Sequence, residues 1–431
     1  MPRLSQPTLP AAPAPTIGER AAAVGRLLAS AGEAYLASLR TPVRTSSDLI
    51  KAAGVNKDIA SRFLTAMGKR DPLAVVYYMP GVESLRRLSR GARARSGDPA
   101  GIRIFDDAVT AFENFLQHDL GGRHALDAIA SAWLPEARER FEAASRQMVY
   151  RGMANLRGVE CQSVFDSAFI HPCPNPERYD VVSIQGVIGV RRLRPTVPLT
   201  IVCFDRHGET ADCPYQTIDG RPIGDDETPA ELLPQFGRGD PPPFKVVRNG
   251  PCTALQMVGE DLGAGAERDL IFGQYIPALL NRYAKEPGNA AALMHSPEIP
   301  AQRLIIDLIL HPEVWSGRDP ELSFYNTTVR GFALPNDRSR DTDRIDQVGT
   351  VRRIGTGINC CRIAEMPRYI ELLEWTCECR GWDPECFKVY RLDVRYPVCG
   401  FEYVLSMRQD DRPPPAEGAA AGDGAAPSAA K

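Results

Sequence analysis

The apolar positions of this 431-residue chain change their period near residue 158. Upstream they recur every three or four residues, as on one face of a helix; downstream they alternate or run together in short stretches, as in strands. Val24, Leu27, Leu28, Tyr35 and Leu36 predict a first helix within Ile17–Leu39. Phe105, Val109, Phe112 and Leu116 predict another, ended by Gly121-Gly122. Leu126, Ile129 and Trp133 make a stripe that stops at Pro135, and Phe141, Met148, Gly152 and Leu156 continue on one more. The opposite face of that last helix carries Glu136, Arg138, Glu139, Arg140 and Glu142. These stripes read as the core of a helical bundle, or more sharply as a dimerisation segment. Between them, Asp71-Pro72 stops a helix, and LAVVYYM (73–79) predicts a strand because β-branched and aromatic residues dominate it. A short basic helix, ESLRRLSRG, follows, and the Gly, Ser and Arg of 92–101 predict a linker.

Beyond Gly158, strands are predicted at Tyr179–Val190, Leu199–Phe204, Phe244–Arg248, Leu270–Gln274, Leu304–Leu310 and Phe324–Gly331, with a helix at Ile276–Ala284. Leu304, Ile306, Leu308 and Leu310 alternate with Ile305, Asp307 and Ile309, which predicts one deeply buried face. Pro367–Arg380 reads as a helix with proline at N1 and Gly381 at C′, followed by two strands that turn at Pro397 and Gly400. The fold class expected is α+β and multidomain. Its parts are a leader (1–16), a helical reader domain (17–91), the linker (92–101), a helical connector (102–158), a mixed α/β domain (159–409) and a tail (410–431), with leader and tail disordered by composition.

Thr41–Arg70 is the stretch that points to a specific task. Thr45 and Asp48 make a capping-box pair that starts a helix near Ser46, with Leu49, Ile50 and Ala53 on its apolar side. Gly54 stands where a left-handed residue ends a helix at little cost. Asn56 caps the next helix, whose Ile59, Phe63 and Met67 form a buried stripe. Lys57, Asp58, Ser61, Arg62 and Thr65 then face outward. A short helix with small polar and basic residues on its outer face suits the major groove.

Ala53-Gly54-Val55, the Asn56 cap and the Ser61-Arg62 pair resemble the helix-turn-helix of bacterial transcription regulators over about thirty residues. Ile50 stands where that family has a small alanine, and Ala60 where it has a bulkier Val or Ile. The resemblance implies a homodimer on double-stranded DNA, with Lys57, Asp58, Ser61, Arg62 and Thr65 in the groove. Arg44, Lys69 and Arg70 would lie on phosphates. A wing would need a hairpin, and only one strand is read nearby. The charge fits this reading: residues 40–103 hold 13 basic and 5 acidic residues in a chain with a net charge of −3. A helical hairpin that binds protein, and an enzyme with its active site in 159–409, are the competing readings.

Composition excludes little else. No run of 18 apolar residues exists, so no membrane span is expected, and the proline-interrupted N-terminus lacks a signal-peptide core. The 11 scattered cysteines suit free thiols in a reducing cytoplasm, and neither Cys360-Cys361 nor Cys377-Glu378-Cys379 has a matching second pair for zinc. Neither a metal nor a cofactor is expected. Gly355-Thr356-Gly357 reads as a turn. Asp337, Asp341, Asp343 and Asp346, interleaved with Arg338, Arg340 and Arg344, read as a solvated loop, since they lack calcium-loop spacing. None of His118, His124, His171, His207, His295 and His311 has a metal-binding or catalytic neighbour in sequence, and no catalytic residue is assigned. The large domain is read as a sensing or oligomerising part.

Overall fold

The computed structural model describes residues 15–195, 199–205, 214–224, 228–249, 252–259, 262–334 and 336–412. The fold is α+β. Contacts divide the chain into two compact units after Glu142. That point lies within a helix and ahead of the Gly158 boundary expected from the change of period.

The first unit is built from α1 (Ile17–Ser38), α2 (Ser46–Ala53), α3 (Lys57–Met67), α4 (Pro72–Tyr78), α5 (Val82–Ala94), α6 (Pro99–Asn114), α7 (Arg123–Ala130) and the start of α8 (Pro135–Arg157). Its core is tied by three aromatic rings. Tyr35 of α1 stacks on Phe105 of α6 with centroids 4.6 Å apart, and Phe63 of α3 meets both edge-on at 5.8 and 5.7 Å. The Tyr35 hydroxyl donates to the Leu88 carbonyl of α5 at 2.9 Å, so four helices share one centre. Gly91 lets α5 approach α2 closely, since a Cβ there would lie 1.6 Å from the Ala53 carbonyl oxygen.

Three expectations for this unit are corrected. LAVVYYM is the helix α4, and no strand, hence no wing, is found among the unit's described residues. Asp71 accepts from the Leu73 N–H as N-cap and Pro72 takes the first turn, so the pair that ends one helix begins the next. Burial of Ala74, Val75 and Val76 then outweighs β propensity. The expected linker is mostly helical, because α5 runs to Ala94 and α6 begins at Pro99. Nor is Thr16 part of a loose leader: it caps α1 in a capping box with Glu19. Residues 1–14 lie outside the described residues.

The second unit holds β1 (Val159–Pro172), β2 (Arg178–Arg192), β3 (Leu199–Asp205), β4 (Glu231–Leu232), β5 (Phe244–Asn249), β6 (Cys252–Met257), β7 (Arg268–Asn281), β8 (Ala290–His295), β9 (Ala301–Leu310), β10 (Glu321–Asn326), β11 (Val351–Thr356), α9 (Tyr369–Arg380), β12 (Lys388–Arg395) and β13 (Phe401–Arg408). A seven-stranded sheet in the order β11-β12-β9-β1-β2-β7-β4 is the spine, and only its β1–β9 pair is parallel. One face packs on α9, with Phe165, Phe169, Val182, Ile305 and Ile309 against Leu372 and Leu373. The other face, with Val164, Ala168, Leu304 and Leu308, shares its core with β10-β13-β8 and β3-β6-β5.

Because both faces are covered, β9 is buried at every position from Leu304 to Leu310, where the alternation suggested a single buried face. Asp307 lies on the α9 side and is fully buried. Its carboxylate accepts two bonds from Arg391 of β12, each 2.7 Å, and one from the Tyr369 hydroxyl at 2.8 Å; Tyr369 also meets Ser167 of β1 at 2.6 Å. Arg391 donates further to the Cys361 and Arg362 carbonyls.

Further elements differ from expectation. Ile276–Ala284 belongs mainly to β7, not to a helix; Pro277 sits in a bulge where Ala278, at φ 50°, donates its N–H to Asp180. The strand expected over Phe324–Gly331 ends at Asn326. The helix expected from Pro367 begins at Tyr369, and Gly381 closes it in the left-handed region. β12 and β13 are not a hairpin, since Pro397–Gly400 carries the chain from one sheet to another. Asp410 is not in a loose tail: its carbonyl accepts from the Ala284 N–H at 2.8 Å, while 413–431 lie outside the described residues. Among the described residues no helix is long and apolar enough to cross a membrane.

The buried Asp307–Arg391 pair predicts a large cost for removing one partner. Asp307→Ala should lose about 3–5 kcal/mol in denaturant unfolding, because Arg391 is left charged and unpaired. Adding Arg391→Met should recover part of that loss. A loss under about 1 kcal/mol for Asp307→Ala would remove this pair as a stabilising element.

Candidate functional site

Two places gather chemistry. In the helical unit, Thr45 caps α2 by accepting from the Asp48 N–H, and the Asp48 carboxylate accepts from the Arg44 and Thr45 N–H groups. Those bonds, the Arg44 N–H foremost, hold the Asp48 carboxyl below the usual range. Gly54 ends α2 at φ 64°, and Asn56 caps α3 by accepting from the Ile59 N–H at 3.0 Å. Ile59, Ala60, Phe63 and Ala66 are buried, while Met67 is only half-buried.

Lys57, Asp58, Ser61, Arg62 and Thr65 are all exposed on α3, as are Arg44 and Arg70; Lys69 is half-buried, its ammonium 4.3 Å from the Tyr78 ring centre. Ser61, Arg62 and Thr65 also line a polar depression of about 430 Å³ with Tyr77, Tyr78, Arg123, Asp127 and Arg140. Within it Arg123 is committed to the Tyr77 and Met79 carbonyls at 2.5 and 2.9 Å. The charge picture is weaker than the 40–103 window suggested, because residues 1–142 hold 19 basic and 15 acidic residues. α6 supplies much of the difference: Glu113 and Asp106 pair with Arg86 and Arg93 of α5.

The second place was not singled out from the sequence. In the β-unit a cavity of about 730 Å³ opens on the inner face of the large sheet and turns around the end of β8, so that both His295 and Glu402 line it. Register explains how its polar groups meet. Asp166 of β1 pairs opposite Gln185 of β2, Ser183 opposite Gln274 of β7, and His295 opposite Tyr403 of β13. The His295 Nδ1–H donates to Asp166 Oδ2 at 3.1 Å, which fixes the ring and turns Nε2 away. That Nε2, Gln274 Oε1, Ser296 Oγ and Glu402 Oε1 are buried with no hydrogen-bond partner among the described residues.

Glu402 is fully buried, and its carboxylate accepts from the Ala333 N–H at 2.7 Å. Burial pushes its carboxyl up to about 7 against the pull of that N–H. Cys203 also lines the cavity, but burial drives its thiol far above the ordinary range, so it is no ready nucleophile. The aspartate-rich loop is solvent-exposed at Asp337, Arg338, Asp341, Arg344 and Asp346, as expected, with Arg340 the exception. Arg340 is buried, its Nε 2.7 Å from Asp343 and its other nitrogens on the carbonyls of 330–332, and this folds Arg330–Leu334 against the cavity.

His171 and His311, both followed by proline, lie 4.6 Å apart with His171 stacked on Trp382; burial lowers the pKa of each. His207 falls outside the described residues. Ten cysteines among the described residues are free thiols, and those residues hold no cluster suited to a metal. Asp166 carries a weak signal in the sequence, as a lone acid in the apolar run Val164–Ile170, and Glu402 carries none, since its alternation reads as solvent-facing. No family model, curated protein or solved structure matches this chain.

A buried carboxyl raised in the fold favours its protonated form. The stability it contributes is complete below about pH 4.5 and is lost as pH rises to about 7, by about 3 kcal/mol at roughly 1.4 kcal/mol per pH unit. Glu402→Gln keeps an acceptor for Ala333 and removes the charge. The variant should match the wild type near pH 5 and melt higher at pH 8; equal melting temperatures across that range would show that Glu402 does not ionise at a cost.

Proposed function

We propose that this chain is a sequence-specific DNA-binding transcription regulator whose β-unit is the sensing part. The observation that carries the reading is the outer face of α3. A well-capped helix, seated by Phe63 in the aromatic core, leaves Lys57, Asp58, Ser61, Arg62 and Thr65 uncovered, the residue types that read base edges in a major groove. Arg44, Lys69 and Arg70 flank that face and would neutralise phosphates, fixing position rather than sequence. The proposal includes a homodimer on a pseudo-palindromic operator. Met148 and Leu156 support it: expected as core, they are 61% and 73% exposed on α8, with Gly152 between them.

Fluorescence anisotropy with duplex DNA at several salt concentrations tests the reader. Binding should weaken with salt with a log–log slope equivalent to several released counterions. Arg62→Ala should cost about 1–3 kcal/mol on the selected operator and less on random duplex. An equal loss on both overturns the specific role, and no binding at low salt overturns the reading itself. For the dimer, Leu156→Glu should convert a two-chain species to one chain in light scattering. A wild-type monomer on and off DNA would count against the homodimer.

One observation favours a second reading, an enzyme. Asp166 orients His295, whose unpartnered Nε2 lines the same cavity as Glu402, a carboxyl pushed up to about 7 by burial, and such groups suit general acid–base chemistry. Ester, amide and phosphoester substrates turned over no faster by the wild type than by His295→Ala would remove it.

A further inference from the structure

The β-unit cavity has a definite chemical character. Its volume, about 730 Å³, falls in the range of sites for drug-sized molecules. Much of the wall is apolar, from Val164, Val187, Phe204, Phe272, Ile299 and Phe332. Its unpartnered polar atoms include Gln274 Oε1 and Glu402 Oε1, which accept, and the Ser296 hydroxyl, which can accept or donate. Its ionisable lining is mainly acidic, with Glu298 and Glu402. The guanidinium at its edge, Arg330, is already committed to Asp343 at 2.7 Å and Thr342 at 2.6 Å.

Buried acceptors without donors cost stability until a donor arrives, and a buried carboxylate is costly until a cation accompanies it. We infer that the cavity binds a small organic amine, its ammonium group on Glu402 and Ser296 and its apolar body along the inner face of the large sheet. The β8–β13 register supports this placement. It sets His295 opposite Tyr403, which brings Glu402 beside the point where β8 gives way to Ser296, so hydroxyl and carboxylate come from neighbouring backbone positions. An anionic ligand would meet Glu298 and Glu402 with no uncommitted cation in return. A neutral alcohol would satisfy an acceptor but add no charge to offset the Glu402 carboxylate, and the nearby Arg340 guanidinium is already paired with Asp343. Binding an ammonium group to a Glu402 that is partly protonated near pH 7 should release a proton.

This names a ligand class for the β-unit and rests on reading that unit as a ligand-binding part, not on DNA binding. It is therefore tested without DNA, so that failure of either reading leaves the other standing. Full-length protein would be titrated at pH 8 with n-hexylamine, n-hexanol and hexanoate, read by thermal shift and by calorimetry. Hexylamine should raise the melting temperature saturably, with the other two much weaker. Calorimetry at pH 7 in buffers of different ionisation enthalpy should show proton release. Glu402→Gln should weaken the amine at least tenfold and abolish the release. Should that variant fail to fold, Phe272→Trp provides the second test, since filling the apolar wall should also weaken the amine. Equal stabilisation by hexanol or hexanoate overturns the inference, as does amine binding unchanged in Glu402→Gln or in Phe272→Trp.

Discussion

Asp307 puts a carboxylate in the middle of β9, the strand flanked by β1 and β12, and everything on the α9 side of the large sheet is arranged around neutralising it. An isolated buried charge is too costly to survive, so the fold must bring Arg391 from the next strand and Tyr369 from α9 to the same two oxygens. Those bonds fix more than an ion pair. Arg391 reaches on to the carbonyls of Cys361 and Arg362, which sets the approach to α9, and Tyr369 reaches Ser167 of β1. Three strands and one helix are thereby locked in a single register.

That lock has a consequence on the other face. Side chains alternate along a strand, so fixing Asp307, Ser167 and Phe165 toward α9 fixes Val164, Asp166 and Ala168 toward the opposite side. There the two smaller sheets do not fill the space, and the inner face lines a cavity whose His295 is held from behind by Asp166. The polar groups of the two faces are treated differently. On the α9 side the acid is paired and satisfied; on the cavity side acceptors are buried and left without donors. A closed network serves stability, whereas an open one is what a binding or catalytic site leaves for its ligand.

The helical unit follows a different logic. Its order comes from local devices, the caps at Thr45, Asn56 and Asp71 and the left-handed Gly54, with the Tyr35–Phe63–Phe105 cluster as the long-range tie. α3 is held by its inner face alone, so the composition of its outer face is not constrained by packing. On the proposed reading, that face would supply the base contacts that give selectivity, with affinity coming from phosphate contacts. Pairing of α5 arginines with α6 acids reduces the positive excess of this unit.

The sequence by itself determined the features governed by neighbours along the chain. The α2–turn–α3 boundaries, the capping box, the left-handed Gly54 and Gly381 and the centres of most assigned strands follow from hydrogen bonds and backbone preferences that span four residues or fewer. Tertiary structure decided what depends on partners far away. LAVVYYM became a helix because α1 and the core could bury Ala74, Val75 and Val76 in that form, and Leu304–Leu310 was buried on both sides because α9 covers the second face. Glu402, polar in an alternating strand, is solvent-facing by pattern and buried in fact, because β8 pairs beside it and Arg340 folds the 330–334 segment over it. Asp166 and His295 are 129 positions apart, and no periodicity encodes such a meeting. Local propensity acts over a turn or a strand; the site is made by register between strands.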